Sequence, residues 1–377
     1  MGLMALTLER SKAAPLQLKL DLAFSDPETF RDLITPYIQN VETLEFEELT
    51  VIEDLSQVLP NFPQSTPNLR VLKLELEADT PEWDPSIDPF GSFPNTLISL
   101  TLSDLPLYPS ILKIGTLTEL SLHYDTVNPP LDTLLDFLEE NPSLKSVSLG
   151  INSYEYPAQA SRRRAVVLNQ LQHLSIICWD AMTARTVISS IPLRRGAHLD
   201  ITFPDEDTGL GLNETLSGIS ATHLPNLPSP TFMTYRSSIR EIHLAGPNGR
   251  FSYTLEWPPA PPFAEFSVLP LTDIKELHLV HNDPSVVFHP SSFPALETLT
   301  IECNTDVSHL FSALFPDPSL FPSLKTLRFL DCFITEEFME ELERFASRRK
   351  NTTSARLHCV EFTHQGGKFS TFLQLKD

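Results

Sequence analysis

Two Glu-x-His pairs, Glu241-Ile-His243 and Glu276-Leu-His278, are the densest grouping of chemistry-bearing residues in the chain. At a spacing of two, a carboxylate and an imidazole fall on the same face of an extended strand. Together they could ligate a divalent metal, relay a proton or form a pH-responsive binding patch. Alternating polar residues are also what any solvated sheet face carries. The pattern therefore favours a polar recognition surface, with no catalytic residue, metal or cofactor expected. Other signatures point the same way. The chain has no Walker A loop, no His-Glu-x-x-His and no Gly-x-Ser-x-Gly. Gly209-Leu-Gly211 begins like a dinucleotide fingerprint, but Glu214 stands where the third glycine is required. Arg162-Arg163-Arg164 reads as a solvated loop ahead of a nuclear signal.

The four cysteines, Cys178, Cys303, Cys332 and Cys359, form no Cys-x-x-Cys pair and read as buried free thiols in a reducing compartment. No apolar run reaches the roughly 18 residues of a membrane span. The first residues carry Glu9, Arg10 and Lys12 after a short apolar run, unlike a secretory signal. The expected location is cytoplasmic or nuclear. A formal charge of −22 argues against nucleic acid and anionic membranes as partners, since both repel an acidic surface.

The elements that position these residues share one spacing. Leu324, Leu327 and Phe329 are apolar at offsets 0, +3 and +5, with Cys332 at +8. That is the leucine-rich-repeat frame, in which each repeat contributes one short strand to a parallel sheet. The frame recurs at Val41-Leu44-Phe46, Leu69-Leu72-Leu74 and Leu97-Leu100-Leu102, at intervals of 28 residues. Leu117-Leu120-Leu122 follows after only 20, which predicts a short connection without a helix. Leu144-Val147-Leu149 and Leu171-Leu174-Ile176 each follow at 27. A damaged frame at Leu199-Ile201-Phe203 precedes an irregular insertion over 204–238. The frame returns at Ile239-Ile242-Leu244, Ile274-Leu277-Leu279 and Leu296-Leu299-Ile301. Pro247-Asn248-Gly249 signals a turn from which Phe251 to Trp257 could return as an antiparallel strand, and Pro258 to Pro262 reads as a stiff linker.

Between strands, helical patterns are expected after Asp26-Pro27, over Val51 to Leu59, over Met182 to Ile191 and after Thr335. Thr335 caps the last of these. Its apolar stripe is Phe338, Met339, Leu342, Phe345 and Ala346, with Arg348, Arg349 and Lys350 at the negative end. The expected fold class is α/β. It is a single leucine-rich-repeat solenoid over 1–377, a curved horseshoe with a parallel concave sheet and a mostly helical convex side. Residues 1–40 supply a lead-in strand and helix, and 351–377 supply the C-terminal cap with a strand from Leu357 to Phe362.

Leu324-x-x-Leu327-x-Phe329-x-x-Cys332, followed by Ile334-Thr335-Glu336, resembles the cysteine-containing repeats of F-box/leucine-rich-repeat proteins. Arg10-Ser-Lys-Ala-Ala-Pro15, running into Leu16-x-Leu18-x-Leu20, looks like the junction that follows the F-box in the large fungal family of these proteins. The F-box itself is not recognisable ahead of Arg10. The resemblance implies the substrate-binding part of a ubiquitin-ligase receptor. The ligase adaptor is an expected partner only if an F-box belongs ahead of this sequence. The alternative is a stand-alone leucine-rich-repeat binding or inhibitory protein. In either case the partner is a protein of unknown identity.

If all strands run parallel, equivalent outward positions stack into columns. Glu45, Lys73, Thr101, Ser121, Ser148, Ser175, Asp200, His243, His278, Thr300 and Arg328 fall in the central one. Thr43 through His173 and His198, then Glu241, Glu276, Thr298 and Thr326, fall in the next. The expected partner-binding residues are therefore Glu241, His243, Glu276, His278 and Arg328.

Overall fold

Many of the described strands begin with the same local device. The residue that opens an apolar frame closes a turn by donating its N–H to the carbonyl three residues earlier. Leu69 donates to Thr66 (3.1 Å), Leu97 to Pro94 (3.1 Å), Leu144 to Asn141 (3.3 Å), Leu171 to Leu168 (3.2 Å), Leu296 to Phe293 (3.3 Å) and Leu324 to Phe321 (3.0 Å). The turn brings the following residues into extended backbone. Alternate side chains then enter the core, which is why Leu72, Leu74, Leu100, Leu102, Leu327 and Phe329 are all essentially inaccessible to solvent.

The computed structural model describes residues 11, 14–21, 27–49, 66–76, 93–105, 107, 111, 114–125, 128–152, 165–204, 215–216, 230–236, 241–247, 249–255, 269, 271–281, 293–303, 306–315, 321–352, 357–363 and 370–374. The chain divides into two compact units. Unit 1 is Met1–Trp179 with Thr186–Leu193, and unit 2 is Asp180–Arg185 with Arg194–Asp377.

Among its described residues, unit 1 contains seven strands, β1 (Leu16–Asp21), β2 (Val41–Leu49), β3 (Val71–Leu76), β4 (Ser99–Ser103), β5 (Glu119–Tyr124), β6 (Ser146–Ile151) and β7 (His173–Cys178). They pair in chain order and every pairing is parallel. Helix α1 (Pro27–Ile34) and a 3-10 turn (Thr35–Asn40) connect β1 to β2, and α2 (Leu131–Glu140) connects β5 to β6. Between β4 and β5 the described residues contain no α-helix, as the 20-residue interval predicts. The expected helical stretch over 51–59 lies outside the described residues. Helix α3 (Ala181–Ser190) contributes residues to both units.

Unit 2 contains β8 (His198–Phe203), β9 (Phe232–Arg236), β10 (Glu241–Gly246), β11 (Gly249–Leu255), β12 (Glu276–His281), β13 (Thr298–Cys303), β14 (Thr326–Leu330), β15 (Cys359–Thr363) and β16 (Ser370–Gln374), with helices α4 (Ser308–Leu314) and α5 (Glu336–Thr352). Its strand order is β8-β11-β10-β9-β12-β13-β14-β15-β16. The damaged frame at Leu199 is one residue short: Ala197 takes the leucine's place in the turn, donating to the Arg194 carbonyl at 3.2 Å. Gly196 closes that turn at φ +89°, a conformation that glycine adopts without steric cost.

The expected parallel sheet is interrupted in unit 2. Strand β10 is antiparallel to both β9 and β11, while β9 runs parallel to β12 and β11 parallel to β8. The tight turn after Gly246 reverses the chain, so β11 returns as the antiparallel strand anticipated there. The segment 204–238, expected to be irregular, contributes β9. Met233 and Tyr235 of β9 are buried and act as its core residues in place of leucine. Strand β9 is a regular repeat strand in its hydrogen bonding. Lys275 donates to the Thr231 carbonyl, Glu297 to Lys275, Lys325 to Glu297 and His358 to Lys325, each at 2.8 Å. At the C-terminal edge, β16 folds back antiparallel on β15.

Helix α5 follows its expected pattern. The Phe338 N–H donates to the Thr335 hydroxyl at 3.1 Å, and Phe338, Leu342 and Phe345 are buried. Arg349 departs from it. Instead of sitting in solvent at the helix end, it is fully buried and donates from Nη2 to the carbonyls of Phe321 (2.6 Å) and Leu324 (3.0 Å). It therefore braces the turn that launches β14. Phe321 holds that turn at φ 55°, uncommon for a residue with a side chain.

Candidate functional site

The three outward rows of the unit 2 sheet follow from its register. The central row reads Asp200, Ser252, His243, Thr234, His278, Thr300, Arg328 and Glu361, each opposite the next across a strand pair. Around its first five members lies a depression of about 580 Å³. Its rim adds His198, Arg250, Phe232 and Ala245. His243 and His278 flank Thr234, two strand spacings or roughly 10 Å apart.

Local pairing fixes several of these side chains. His243 Nε2 lies 2.9 Å from Glu241 Oε1 on its own strand, and His278 Nε2 lies 3.0 Å from Glu302 Oε2 on the next strand. The Ser252 hydroxyl donates to the Asp200 carboxylate. Further along the row, Arg328 Nε donates to Glu361 Oε2 at 2.7 Å. Asp200, His243, His278 and Arg328 each sit between buried neighbours, such as Ile242 and Leu244 around His243 and Leu277 and Leu279 around His278. Backbone and core thus set their direction before any partner arrives.

Of the five residues expected to bind a partner, His243 and His278 both line the depression. Glu241 serves it indirectly, through its contact with His243. Glu276 is exposed but lies in a different row, opposite Phe232 and Thr298. The expected neighbourhood of Glu241 and Glu276 in one column is therefore wrong. Because β10 runs antiparallel, Glu241 pairs with Arg236 and Thr254 at the other end of the strands. It stands roughly 16 Å from Glu276, two strand spacings across and four residues along. Arg328 lies two strands beyond His278, outside the depression.

Sequence reasoning missed Ser252, Arg250 and Thr234. Ser252 and Arg250 were accessible to it, because the turn signal at Pro247 to Gly249 already implied a strand whose outward residues belong between β8 and β10. Thr234 was not, since Phe232 to Arg236 carries no leucine frame.

Among the described residues, no group of three or more His, Cys, Asp or Glu side chains is arranged to hold a metal ion, and no helix is long and apolar enough to cross a membrane. The two Glu–His contacts point away from a shared centre, each imidazole being turned to its own carboxylate. A second depression, of about 760 Å³, runs along the strand starts of unit 1. Several of its hydroxyl and amide groups are committed to the backbone there. Asn68 donates to the Gln39 carbonyl at 2.7 Å, Thr96 to Leu69 at 2.8 Å and Thr116 to Leu97 at 2.7 Å. These bonds hold successive turns together.

No protein-family profile matches the chain, and no curated protein does. Among solved structures, a leucine-rich-repeat protein of Leptospira interrogans aligns over 88% of each chain with a TM-score of 0.32 and 15% identity. The leucine-rich-repeat character of the present chain rests on its own frame, turns and register.

Proposed function

We propose that this protein is a non-catalytic scaffold that binds another protein, and that the sheet face of unit 2 around His243, Thr234 and His278 is its binding site. The observation that supports this reading most is the row from Asp200 to Arg328. It is a depressed, polar surface whose side chains are aimed by buried neighbours and held by carboxylate contacts. Preorganised groups lose less conformational entropy on complex formation than free ones. Of the original five, Glu276 and Arg328 form the outer part of this surface, and Glu241 orients His243.

Within that reading, the resemblance to F-box/leucine-rich-repeat proteins supports a role as the substrate-holding part of a ubiquitin-ligase receptor in the cytoplasm or nucleus. The net charge of −22 supports the second reading, a stand-alone binding or inhibitory protein for a basic partner. Affinity purification of the intact natural chain, beside a His243→Ala/His278→Ala variant, tests the site. Loss of a specific partner in the variant, by about 1 kcal/mol or more in affinity with the fold intact, supports it. Equal recovery moves the site elsewhere. A pull-down with purified ligase adaptor separates the two readings: retention supports the receptor, and no retention supports the stand-alone binder.

A further inference from the structure

A second grouping of reactive side chains lies away from the recognition row, at the far ends of β13 and β14. Cys303 is the last residue of β13, and Cys332 follows the end of β14 by two residues. Their Sγ atoms are 3.1 Å apart, and neither is in a disulfide. The proximity is fixed from both sides. Before the cysteines, the parallel register sets Glu302 opposite Leu330. After them, an isolated bridge pairs Asp306 with Phe333. Between those anchors Asp331 turns the chain at φ 54° and donates its N–H to the Thr363 carbonyl at 2.9 Å. A disulfide has a sulfur–sulfur bond of about 2.05 Å, so closure requires a shift of only about 1 Å. Cys303 is buried and Cys332 is partly exposed, so one thiol meets solvent while the other waits behind it.

We propose that Cys303 and Cys332 are a redox modification site, closing to a reversible disulfide that staples two adjacent repeats when the chain meets a peroxide. The balance needs two steps. The Cys332 thiol attacks the peroxide oxygen, giving a sulfenic acid and, from hydrogen peroxide, water. The Cys303 sulfur then attacks the Cys332 sulfur, the S–S bond forms, and the sulfenic oxygen leaves as a second water. Both cysteine sulfurs are oxidised, and the two peroxide oxygens are reduced. A small dithiol returns the pair to thiols and leaves as its own cyclic disulfide. The hydrogen bond with Cys303, together with burial, pushes the Cys332 thiol well above the ordinary thiol range. The resting pair is therefore protonated and the first step slow. The second step is intramolecular between sulfurs already in contact, so it outpaces the first.

The other two cysteines serve as internal controls. Cys178 is buried in unit 1, and Cys359 on β15 lies against Glu361, its Sγ 3.7 Å from Oε1. The test is peptide mapping of the intact chain after hydrogen peroxide, with iodoacetamide added under denaturing conditions. The expected result is a linked Cys303–Cys332 peptide lighter by two hydrogens, with neither residue alkylated, Cys178 fully alkylated, and both thiols recovered after dithiothreitol. In Cys303→Ser, Cys332 should instead be caught by dimedone as the sulfenic acid. The wild-type map decides by itself if that variant does not fold. Cys303 and Cys332 both alkylated after peroxide, or Cys332 linked to Cys359 or to a second chain, overturns the proposal.

Discussion

Units 1 and 2 use the same apolar frame and reach different surfaces. Among the described residues of unit 1, parallel strands follow one another in chain order, and each central-column residue from Glu45 to Ser175 stands beside its expected neighbour. In unit 2, β9, β10 and β11 form an antiparallel meander inside an array whose other pairings from β8 to β15 are parallel. The inserted strands bring Ser252, Arg250 and Thr234 between residues that a uniform array would make adjacent. The depression forms at the meander, among groups from five strands. A regular array presents a repeating face, whereas one reversal within it produces a local and non-repeating one, which is what selective recognition needs.

The largest expected effect tests what the two units share. Leu72 in β3 and Leu327 in β14 are both fully buried. Truncating either to alanine is expected to cost about 2–5 kcal/mol in denaturant unfolding. A loss below about 0.5 kcal/mol in only one unit would mean that the frame is not structural there.

The next tests a brace particular to unit 2. Arg349→Ala leaves the carbonyls of Phe321 and Leu324 without their side-chain donor and is expected to cost about 1–3 kcal/mol. A neutral result would show that the backbone turn before β14 is sufficient alone.

A third probes the close approach of strands in unit 1. A Cβ at Gly150 would lie 2.5 Å from Nδ1 and 3.3 Å from Cα of His123, its register partner on β5. Gly150→Ala is expected to destabilise by about 1–3 kcal/mol through overpacking. Most of the loss should be recovered in a His123→Ala background, as a double-mutant cycle would measure.

The smallest effect belongs to the surface row. Arg328 and Glu361 are a half-buried pair at the sheet surface, so Arg328→Ala is expected to change stability by roughly 0.2–1 kcal/mol, falling further as salt rises. A larger and salt-independent loss would give this pair a structural role.

Legibility in the sequence followed the same division. The period of two says which face a residue occupies, and the spacing of leucines locates a strand to within a residue or so. Both were sufficient for unit 1 and for β12 to β15. Neither carries the direction of a strand or its neighbour in space. Glu241 was therefore placed on the correct face but at the wrong end. Strand β9 was hidden because Met233 and Tyr235 do the work of leucines. The burial of Arg349 was equally unreadable, since an arginine in the last turn of a helix ordinarily serves the helix dipole from solvent. The Cys303–Cys332 contact depends on register between strands, which composition does not encode.

Disulfide trapping of engineered cysteine pairs, mapped by peptide mass spectrometry, tests the central claim most directly, because the candidate site exists only if β10 is reversed between β9 and β11. His243→Cys with Ser252→Cys is expected to cross-link readily, since residues directly opposite on antiparallel strands lie about 4.5–5.5 Å apart between Cα atoms. Glu241→Cys with Glu276→Cys is expected not to link. Efficient linking of Glu241→Cys with Glu276→Cys, without linking of His243→Cys with Ser252→Cys, would mean that β10 runs parallel beside β12, and would contradict the site described above.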